Sequence, residues 1–196
     1  WQALNAHYPT RLINMYGITE ITVHGTFNDV TDFYGSDSRG LMGRPLPSTE
    51  MYILDAHMRA VPVGVTGELY VAGGQLTRGY WQRDELNRER FIQHAVDQRT
   101  PIRLYRSGDL ACWQDDGTLT YRGRNDSQVK IRGYRIERGE IEACLRGIDG
   151  VRDAVVVARG EQDDRRLVAY VVATESTAAN DTQLREHLLQ ALPEYM

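Results

Sequence analysis

Short apolar segments separated by glycines fill the middle of this chain of 196 residues, from Gly40 to Gly123. The segments MYILD, GELYVAG, RLYRSGDL and TLTYRG mostly alternate apolar with polar residues, a period of two that predicts β-strands. Repeated short strands joined by glycine turns favour a compact β-barrel or a curled sheet. One charged stretch, RDELNRERFI, interrupts the strands and predicts a helix.

Residues 1–35 have a different pattern. They predict the end of an amphipathic helix, then Pro9, a strand from Arg11 to Tyr16 and a turn at Gly17. The other end of the chain, LLQALPEYM, stops just after a predicted helix. Because the sequence opens inside one element and stops after another, we expect a piece of a longer protein, cut at both ends.

A third pattern begins after Asp126. QVKIRGYRI predicts a hairpin, and ERGEIEACLRGI predicts a helix with Ile141, Leu145 and Ile148 on one face. VRDAVVVAR and RRLVAYVVA predict two strands, and DTQLREHLLQAL predicts a helix with Asp181 as its N-cap. Together these elements predict a small α+β unit.

The change of pattern at GRNDSQ predicts a linker between two domains, residues 1–125 and residues 126–196. We therefore expect a mixed fold class, α/β with a β-barrel-like region followed by α+β.

Composition excludes several classes of protein. The net charge is −4 and the arginines are scattered, so no nucleic-acid partner is expected. No apolar run approaches the ~20 residues of a membrane-spanning helix, so no membrane insertion is expected. Cys112 and Cys144 are too few for a disulfide framework and lack metal-ligand spacing. A secretory signal pattern is missing at the start of the sequence. We therefore expect a reducing, cytoplasmic setting.

The heptapeptide NMYGITE carries the first candidate site. A strand ends at a glycine turn, and a hydroxyl and a carboxylate follow at the edge where open α/β sheets bind ligands. Glu20 is suited to hold a hard cation, Thr19 to donate to a phosphate and Tyr16 to face a base. The alternative is a plain strand-turn-helix junction with Thr19 as its cap.

Two further blocks present polar groups beside glycines. In YRSGDL, a strand leads into a Ser-Gly turn, and Asp109 there is suited to accept both hydroxyls of a ribose or, alternatively, to cap the turn. In GRNDSQVKIRGYRIERGEIE, Arg124 and Asp126 lie in the linker, where a pivot would absorb backbone rotation. Gly133 implies a tight turn or a close backbone approach. The alternative for this block is a solvated hairpin with salt bridges.

We interpret GELYVAGGQLTRGYW mainly as scaffold. Its paired glycines are not followed by Lys-Ser or Lys-Thr, which excludes a P-loop. His24 and His57 lack partners at metal-ligand spacing, so a zinc site is not expected.

Together and in this order, these blocks resemble the adenylation domains of nonribosomal peptide synthetases. NMYGITE, GELYVAGGQLTRGYW, YRSGDL, GRNDSQVKIRGYRIERGEIE and LPEYM match successive motifs of that family over essentially the whole chain. The resemblance implies the end of a large adenylate-forming core with a β-barrel-like subdomain, then a small, mobile, truncated C-terminal subdomain. Three positions depart from the usual residues: Ile18 stands for Pro, Ser107 for Thr and Arg138 for Leu.

The resemblance implies a two-step reaction. The carboxylate of an amino acid attacks the α-phosphate of Mg-ATP, giving an aminoacyl-adenylate and pyrophosphate. The acyl group then passes to the phosphopantetheine thiol of a carrier (thiolation) domain. ATP and Mg²⁺ are the implied cofactors, and the carrier domain and a condensation domain of the same assembly line are the implied partners. The first step needs charge neutralisation and in-line positioning more than covalent help from the protein.

The resemblance also assigns roles to residues around the nucleotide. They are Asn14 and Tyr16 at the adenine, Thr19 at the phosphate, Glu20 at the magnesium ion, Asp109 at the ribose hydroxyls and Arg124 nearby.

Five other residues receive roles from the resemblance. Asp126 would be the hinge of the small subdomain, and Gly133 would line the pantetheine path. Met15, Val23 and His24 would line the amino-acid pocket, and this trio is similar to that of threonine-activating domains. The imidazole can pair with a side-chain hydroxyl, and a pocket that does so rejects analogues lacking one.

Other parts that the family uses are not found in the sequence. The Ser/Thr/Gly-rich phosphate loop and the aspartate that anchors the substrate amine would precede Trp1, and the invariant lysine would follow Met196. The chain alone is therefore expected to be inactive. Two alternatives stay open: an acyl-CoA or aryl-acid ligase of the same superfamily, and a non-catalytic remnant that acts as an interaction module.

Overall fold

The computed structural model describes residues 10–31, 40–98, 100–160, 164–174 and 180–196. The helix end expected before Pro9 lies outside these residues. The chain divides into two compact units, Trp1–Asn125 and Asp126–Met196. No helix in the described part of the chain combines the length and apolar character that crossing a membrane requires.

One antiparallel sheet dominates the first unit, and within the described residues it has eight strands. Their bounds are β1 Ile13–Asn14, β2 Thr26–Asp29, β3 Leu41–Pro45, β4 Thr49–Leu54, β5 Gly67–Gly73, β6 Phe91–His94, β7 Ile102–Trp113 and β8 Leu119–Arg124. The strand order is β1-β2-β3-β8-β7-β5-β4, and β6 also pairs with β7. The strands expected from MYILD, GELYVAG, RLYRSGDL and TLTYRG are all present, so the sequence was correct about a curled, sheet-rich unit.

Two boundaries in this unit were predicted wrongly. The strand containing YRSGDL does not end in a Ser-Gly turn, because β7 continues to Trp113 and Gly108 bends it with a φ of +75°. The helix expected over RDELNRERFI, α1, covers only Asp84–Arg90, and Phe91 begins β6. Phe91 leaves the helix because its ring packs against Tyr105 of β7, with ring centroids 5.0 Å apart.

Apolar side chains on both sides of β5 and β7 form the core of the first unit. Leu69, Val71 and Ala111 are fully buried in one cluster, and Leu104 lies in a second cluster with Tyr70. β7 is therefore a well-buried strand at the centre of the sheet, which gives polar groups on it a dry surrounding.

The second unit has the expected α+β elements. Two hairpins, each a two-stranded antiparallel sheet, are joined by one helix, and a second helix follows the second hairpin. The elements are β9 Gln128–Ile131, β10 Tyr134–Glu137, α2 Arg138–Arg146, β11 Val151–Arg159, β12 Arg166–Ala173 and α3 Asp181–Ala191. Ile136, Leu145 and Val156 are buried in a core that belongs to this unit alone.

Local chemistry explains how two of these elements begin or turn. The β9–β10 hairpin turns at Arg132 and Gly133, both with positive φ, the geometry of a tight two-residue turn. The close backbone approach considered for Gly133 is not found, because a Cβ there would meet nothing within 4 Å. The N-cap of α3 is Asn180 and not Asp181. The Asn180 side chain accepts the Gln183 N–H at 2.9 Å, and the Gln183 side chain accepts the Asn180 N–H, which together form a capping box.

Candidate active site

Asp109 and Arg124 form a buried ion pair at the bend of β7. They are direct cross-strand partners on β7 and β8, so strand register alone sets them opposite each other. Arg124 Nη1 donates to Asp109 Oδ1 at 2.6 Å, and the two side chains are only 15% and 5% exposed, respectively. Desolvating two charges can cost more than such a pair returns, so a buried ion pair is weak support for a purely structural role.

Tyr16 reaches the same carboxylate from the loop after β1. Its hydroxyl donates to Asp109 Oδ2 at 2.5 Å. Burial, and then the negative charge of Asp109, raise the pKa of Tyr16 well above its ordinary value. The phenol therefore stays protonated and remains a donor to the carboxylate at physiological pH.

Ser107 fixes the bend on which Asp109 lies. Its hydroxyl donates to the Leu69 carbonyl on β5 at 2.6 Å and accepts the Asp109 backbone N–H at 3.0 Å. Arg124 Nη2 donates to the Ser107 carbonyl at 3.0 Å. The Ser107 hydroxyl thus satisfies backbone groups inside the sheet, a role that a threonine hydroxyl would also perform.

Glu20 is a second buried carboxylate, only 4% exposed, in the short 3₁₀ turn Thr19–Ile21. The hydroxyl of Tyr80 donates to Glu20 Oε1 at 2.5 Å. Among the described residues, no group of three or more His, Cys, Asp or Glu could hold a metal ion. Mg²⁺ is commonly held by one or two carboxylates together with substrate phosphates, and a single carboxylate at Glu20 fits that mode of binding.

Residues 75–80 hold the turn that carries Glu20. The Thr77 N–H donates to the Glu20 carbonyl at 2.9 Å, and the Thr22 hydroxyl donates to the Gln75 carbonyl at 2.7 Å. Arg103 of β7 donates to the carbonyls of Thr77 and Arg78 at 2.8 and 2.9 Å. This stretch therefore stabilises the turn that carries Glu20.

The loop between Tyr16 and β2 folds tightly on itself. The Tyr16 carbonyl accepts the Gly25 N–H at 2.8 Å, and a Cβ on Gly17 would lie 1.4 Å from the Val23 carbonyl oxygen. Gly17 is thus required by a close backbone approach. Val23 has a φ of +78°, a strained conformation for a β-branched residue, and such strain is often found at functional sites.

Comparison of the chain with known proteins identifies its family. Residues 1–81 match the family model of AMP-binding enzymes. Over 189 residues the chain is 50% identical to chondramide synthase cmdD of Chondromyces crocatus, covering 95% of this chain. It is 46% identical over 188 residues to tyrocidine synthase 3 of Brevibacillus parabrevis, again covering 95% of this chain. The chain belongs to the adenylation domains of nonribosomal peptide synthetases.

A solved structure agrees in fold. An artificially fused Adenylation-PCP di-domain NRPS from Klebsiella oxytoca, NpsA-ThdA, superposes with a TM-score of 0.74 at 30% identity and covers 95% of this chain. The chain spans only 5% and 3% of the two synthases and 34% of the solved chain. It is therefore part of an adenylation domain.

Of the residues that the sequence assigned to the nucleotide, the structure brings Tyr16, Asp109 and Arg124 into direct contact. Asn14 is exposed and donates from its side-chain amide to the Leu41 carbonyl at 2.6 Å. Glu20 lies in a separate hydrogen-bonded group centred on Tyr80.

The remaining predicted residues of the first unit lie on the surface or near it. Thr19, Val23 and His24 are exposed, and Met15 is half-buried. A cavity of about 320 Å³ elsewhere in this adenylation domain is lined by none of them, its lining residues being Glu50, Ala72, Gly73, Leu76, Ile102 and Arg103.

Asp126 and Gly133 lie at the start of the second unit. Asp126 Oδ1 accepts the Gln128 N–H at 3.1 Å and so caps the beginning of β9. Arg138, which stands where the family usually has Leu, donates to the carbonyls of Ser127 and Val156 at 2.5 and 3.2 Å. These bonds link Arg138 to backbone oxygens, a different contact from the salt bridges that the hairpin alternative expected.

Two site residues were not assigned a role from the sequence. Ser107 was noted only as a substitution, and Tyr80 lay in the stretch interpreted as scaffold. No local pattern distinguishes Tyr80 from the other tyrosines of the chain, because its role depends on a contact with a residue 60 positions away.

Proposed function

We propose that the intact domain activates an amino acid with Mg-ATP as an aminoacyl-adenylate and transfers it to the phosphopantetheine thiol of a carrier domain. The convergence of Tyr16 and Arg124 on the buried Asp109 carries the proposal. The resemblance implies a place at the nucleotide for each of the three residues, and two of them donate to the carboxylate of the third.

Asp109 is the proposed acceptor for the ribose hydroxyls. A carboxylate offers about four acceptor positions, so it can take hydroxyl donors in addition to Tyr16 and Arg124. Arg124 orients the carboxylate, and Tyr16 and Asn14 lie on the segment that would face the adenine. Preorganisation of this kind avoids the cost of ordering the site when the nucleotide binds.

Thr19 and Glu20 are the proposed phosphate and metal residues. Mg²⁺, when bound, neutralises negative charge on the phosphates. Glu20 would hold the ion from its 3₁₀ turn, and the exposed Thr19 hydroxyl would donate to a phosphate oxygen beside it.

ATP–pyrophosphate exchange by the intact adenylation domain that contains this chain tests the proposal. Asp109→Asn is expected to raise the KM for ATP by about tenfold to a hundredfold, the usual value of a charge-assisted hydrogen bond, and to leave the KM for the amino acid unchanged. Asp116→Asn is the control, since Asp116 accepts from Thr118 in an exposed turn. Equal KM values for ATP in the two variants would contradict the role of Asp109.

We also propose L-threonine as the amino acid. Met15 and Val23 would bound a small side chain, and His24 would pair with its hydroxyl. Amino-acid-dependent exchange across a panel of amino acids measures this. Exchange with threonine that is no faster than with valine would exclude threonine as the preferred substrate.

The second unit is the proposed mobile subdomain. Asp126 would be its hinge, Gly133 would line the pantetheine path, and the carrier and condensation domains would be its partners. Gly133→Asn suits the positive φ and adds a side chain to the turn. Acyl transfer to the carrier thiol is expected to slow while pyrophosphate exchange does not; equal effects on both steps would contradict the assignment.

We propose, finally, that the 196 residues alone do not catalyse exchange and that the intact protein works in the cytoplasm. The sequence contains a single lysine, Lys130, in β9, and no Ser/Thr/Gly-rich phosphate loop. Robust exchange by the isolated chain would contradict the first statement. Both thiols, Cys112 and Cys144, are free of disulfide bonds, which suits a reducing compartment.

A further inference from the structure

We propose that Tyr80 is the positioning residue for Glu20, holding its carboxylate in the one orientation from which it serves the metal. The inference rests on the proposed role of Glu20 and adds a residue to it. The contact itself is short: the Tyr80 hydroxyl lies 2.5 Å from Glu20 Oε1.

The backbone of Tyr80 is fixed by a side chain from α1. The Tyr80 N–H donates to Asn87 Oδ1 at 2.7 Å, and Asn87 Nδ2 donates to the Tyr80 carbonyl at 2.8 Å. Gly79, with a φ of +133°, lets the chain pass so close that a Cβ there would lie 2.7 Å from Asn87 Oδ1. The side-chain amide of Asn87 thus binds both backbone groups of Tyr80 and fixes the backbone position from which the ring extends.

The ring of Tyr80 is fixed by two more aromatic residues. Phe91 meets it edge-on, with centroids 5.7 Å apart, and also packs against Tyr105. The Tyr105 hydroxyl lies 3.2 Å from the Tyr80 hydroxyl, and Tyr105 itself is fully buried. Arg103 stacks over Phe91, with its guanidinium carbon 4.4 Å from the ring centroid. The phenol is therefore held at its backbone, its ring and its hydroxyl.

This arrangement explains why a residue in a distant motif matters to the metal. Glu20 lies in a turn of only three residues, which by itself leaves the side chain free to choose among rotamers. The hydrogen bond from a rigid phenol selects one of them.

Tyr80→Phe in the intact adenylation domain tests the proposal, because it removes the hydroxyl and keeps the ring packing. The Mg²⁺ concentration that gives half-maximal pyrophosphate exchange is expected to rise about tenfold, and the KM for the amino acid is expected to stay unchanged. Mn²⁺ binding in the presence of ATP, followed by electron paramagnetic resonance, should weaken by a similar factor. A crystal structure of the variant without metal should show the Glu20 carboxylate displaced.

Tyr70→Phe is the matched control. Like Tyr80, Tyr70 donates its hydroxyl to a carboxylate, that of Glu68 at 3.3 Å. Tyr70 is buried in β5, and Glu68 has no proposed role at the nucleotide. Where Tyr80→Phe fails to fold, Asn87→Ala serves as the second variant, since it releases the backbone of Tyr80 and leaves the phenol intact.

The outcomes separate the two proposals. A metal requirement of Tyr80→Phe equal to that of Tyr70→Phe, or an unmoved Glu20 carboxylate in the variant structure, overturns the positioning role. A wild-type domain that shows no amino-acid-dependent exchange overturns the proposed function. If the wild-type domain shows no such exchange but Glu20 moves in Tyr80→Phe, the positioning role of Tyr80 is supported and the proposed function is not.

Discussion

Tyr16, Tyr80 and Tyr70 each donate a hydroxyl to a carboxylate, that of Asp109, Glu20 and Glu68, respectively. In each case burial disfavours the phenolate, and the nearby negative charge disfavours it further. We therefore expect each of these tyrosines to make the folded chain less stable at alkaline pH. The pair that contains Tyr70 offers the cleanest test, since it lies outside the proposed site.

The pKa of Tyr70 is raised from 10.0 to about 12, first by burial and then by the charge of Glu68. A raised pKa in the folded state gives stability that is complete below the unfolded value and is lost as pH rises through the folded value. We expect the free energy of unfolding of the chain to fall between these two pH values, and to fall less steeply in Tyr70→Phe. Urea denaturation at a series of pH values measures it. Equal slopes for wild type and variant would contradict the assignment.

Gly17 is a residue at which the loop does not tolerate a side chain. A Cβ at this position would overlap the carbonyl oxygen of Val23, which is backbone and cannot rotate away. Gly17→Ala is expected to cost about 3 kcal/mol or more and to displace His24. Gly64→Ala is a comparison with open space around the added methyl group, although its positive φ carries a strain that Gly17 lacks. Chemical denaturation compares them, and an unfolding free energy for Gly17→Ala close to wild type would show that the close approach is wrong.

Among the secondary-structure elements, β7 determines where Asp109 lies. A strand of twelve residues is bent at Gly108, and its register with β5 and β8 is irregular near the bend, where Asp109 pairs with Arg124. A bulge of this kind re-aims a side chain within a sheet. The sequence suggested a turn at Ser-Gly because a bulge and a turn use the same residues, and only neighbouring strands distinguish them.

The helix α3 gives a test of the capping assignment. Asn180 accepts the Gln183 N–H, so Asn180→Ala is expected to cost about 1 kcal/mol of stability, the usual value of an N-cap. Asp181→Ala removes only a favourable charge in the first turn and is expected to cost less. Thermal unfolding of both variants measures the difference. A larger loss for Asp181→Ala would restore the cap that the sequence predicted.

At the scale of the whole molecule, the two units have separate cores. The buried cluster of the second unit draws on residues 129–196 alone, and the clusters of the first unit draw on none of them. A subdomain that moves as a unit, as proposed for residues 126–196, needs a core of its own, and the second unit has one.

Core truncations should therefore act locally. Leu145→Ala is expected to cost about 3 kcal/mol or more within the second unit and to leave amide exchange in β5 unchanged. Leu69→Ala is expected to do the reverse. Native-state hydrogen exchange resolves the two units. Loss of protection throughout the chain in either variant would show that the cores are coupled.

Much of the fold and part of the site were accessible from the sequence. Period-two patterns and glycine turns predicted the strands of both units, because strand formation depends on local alternation of apolar residues. The resemblance of the motifs around Glu20, Asp109 and Arg124 to a known family singled out these side chains, and the structure places Asp109 and Arg124 in contact.

The contacts between residues far apart in the chain depend on how the chain packs in three dimensions. The sequence could not pair Tyr16 with Asp109, 93 positions away, or Tyr80 with Glu20, because strand register and the bend in β7 set those distances. The tyrosine that orients a carboxylate has no local signature, since any buried tyrosine needs a partner for its hydroxyl. Local pattern thus fixes which groups are available, and the packing of the sheet selects which of them meet.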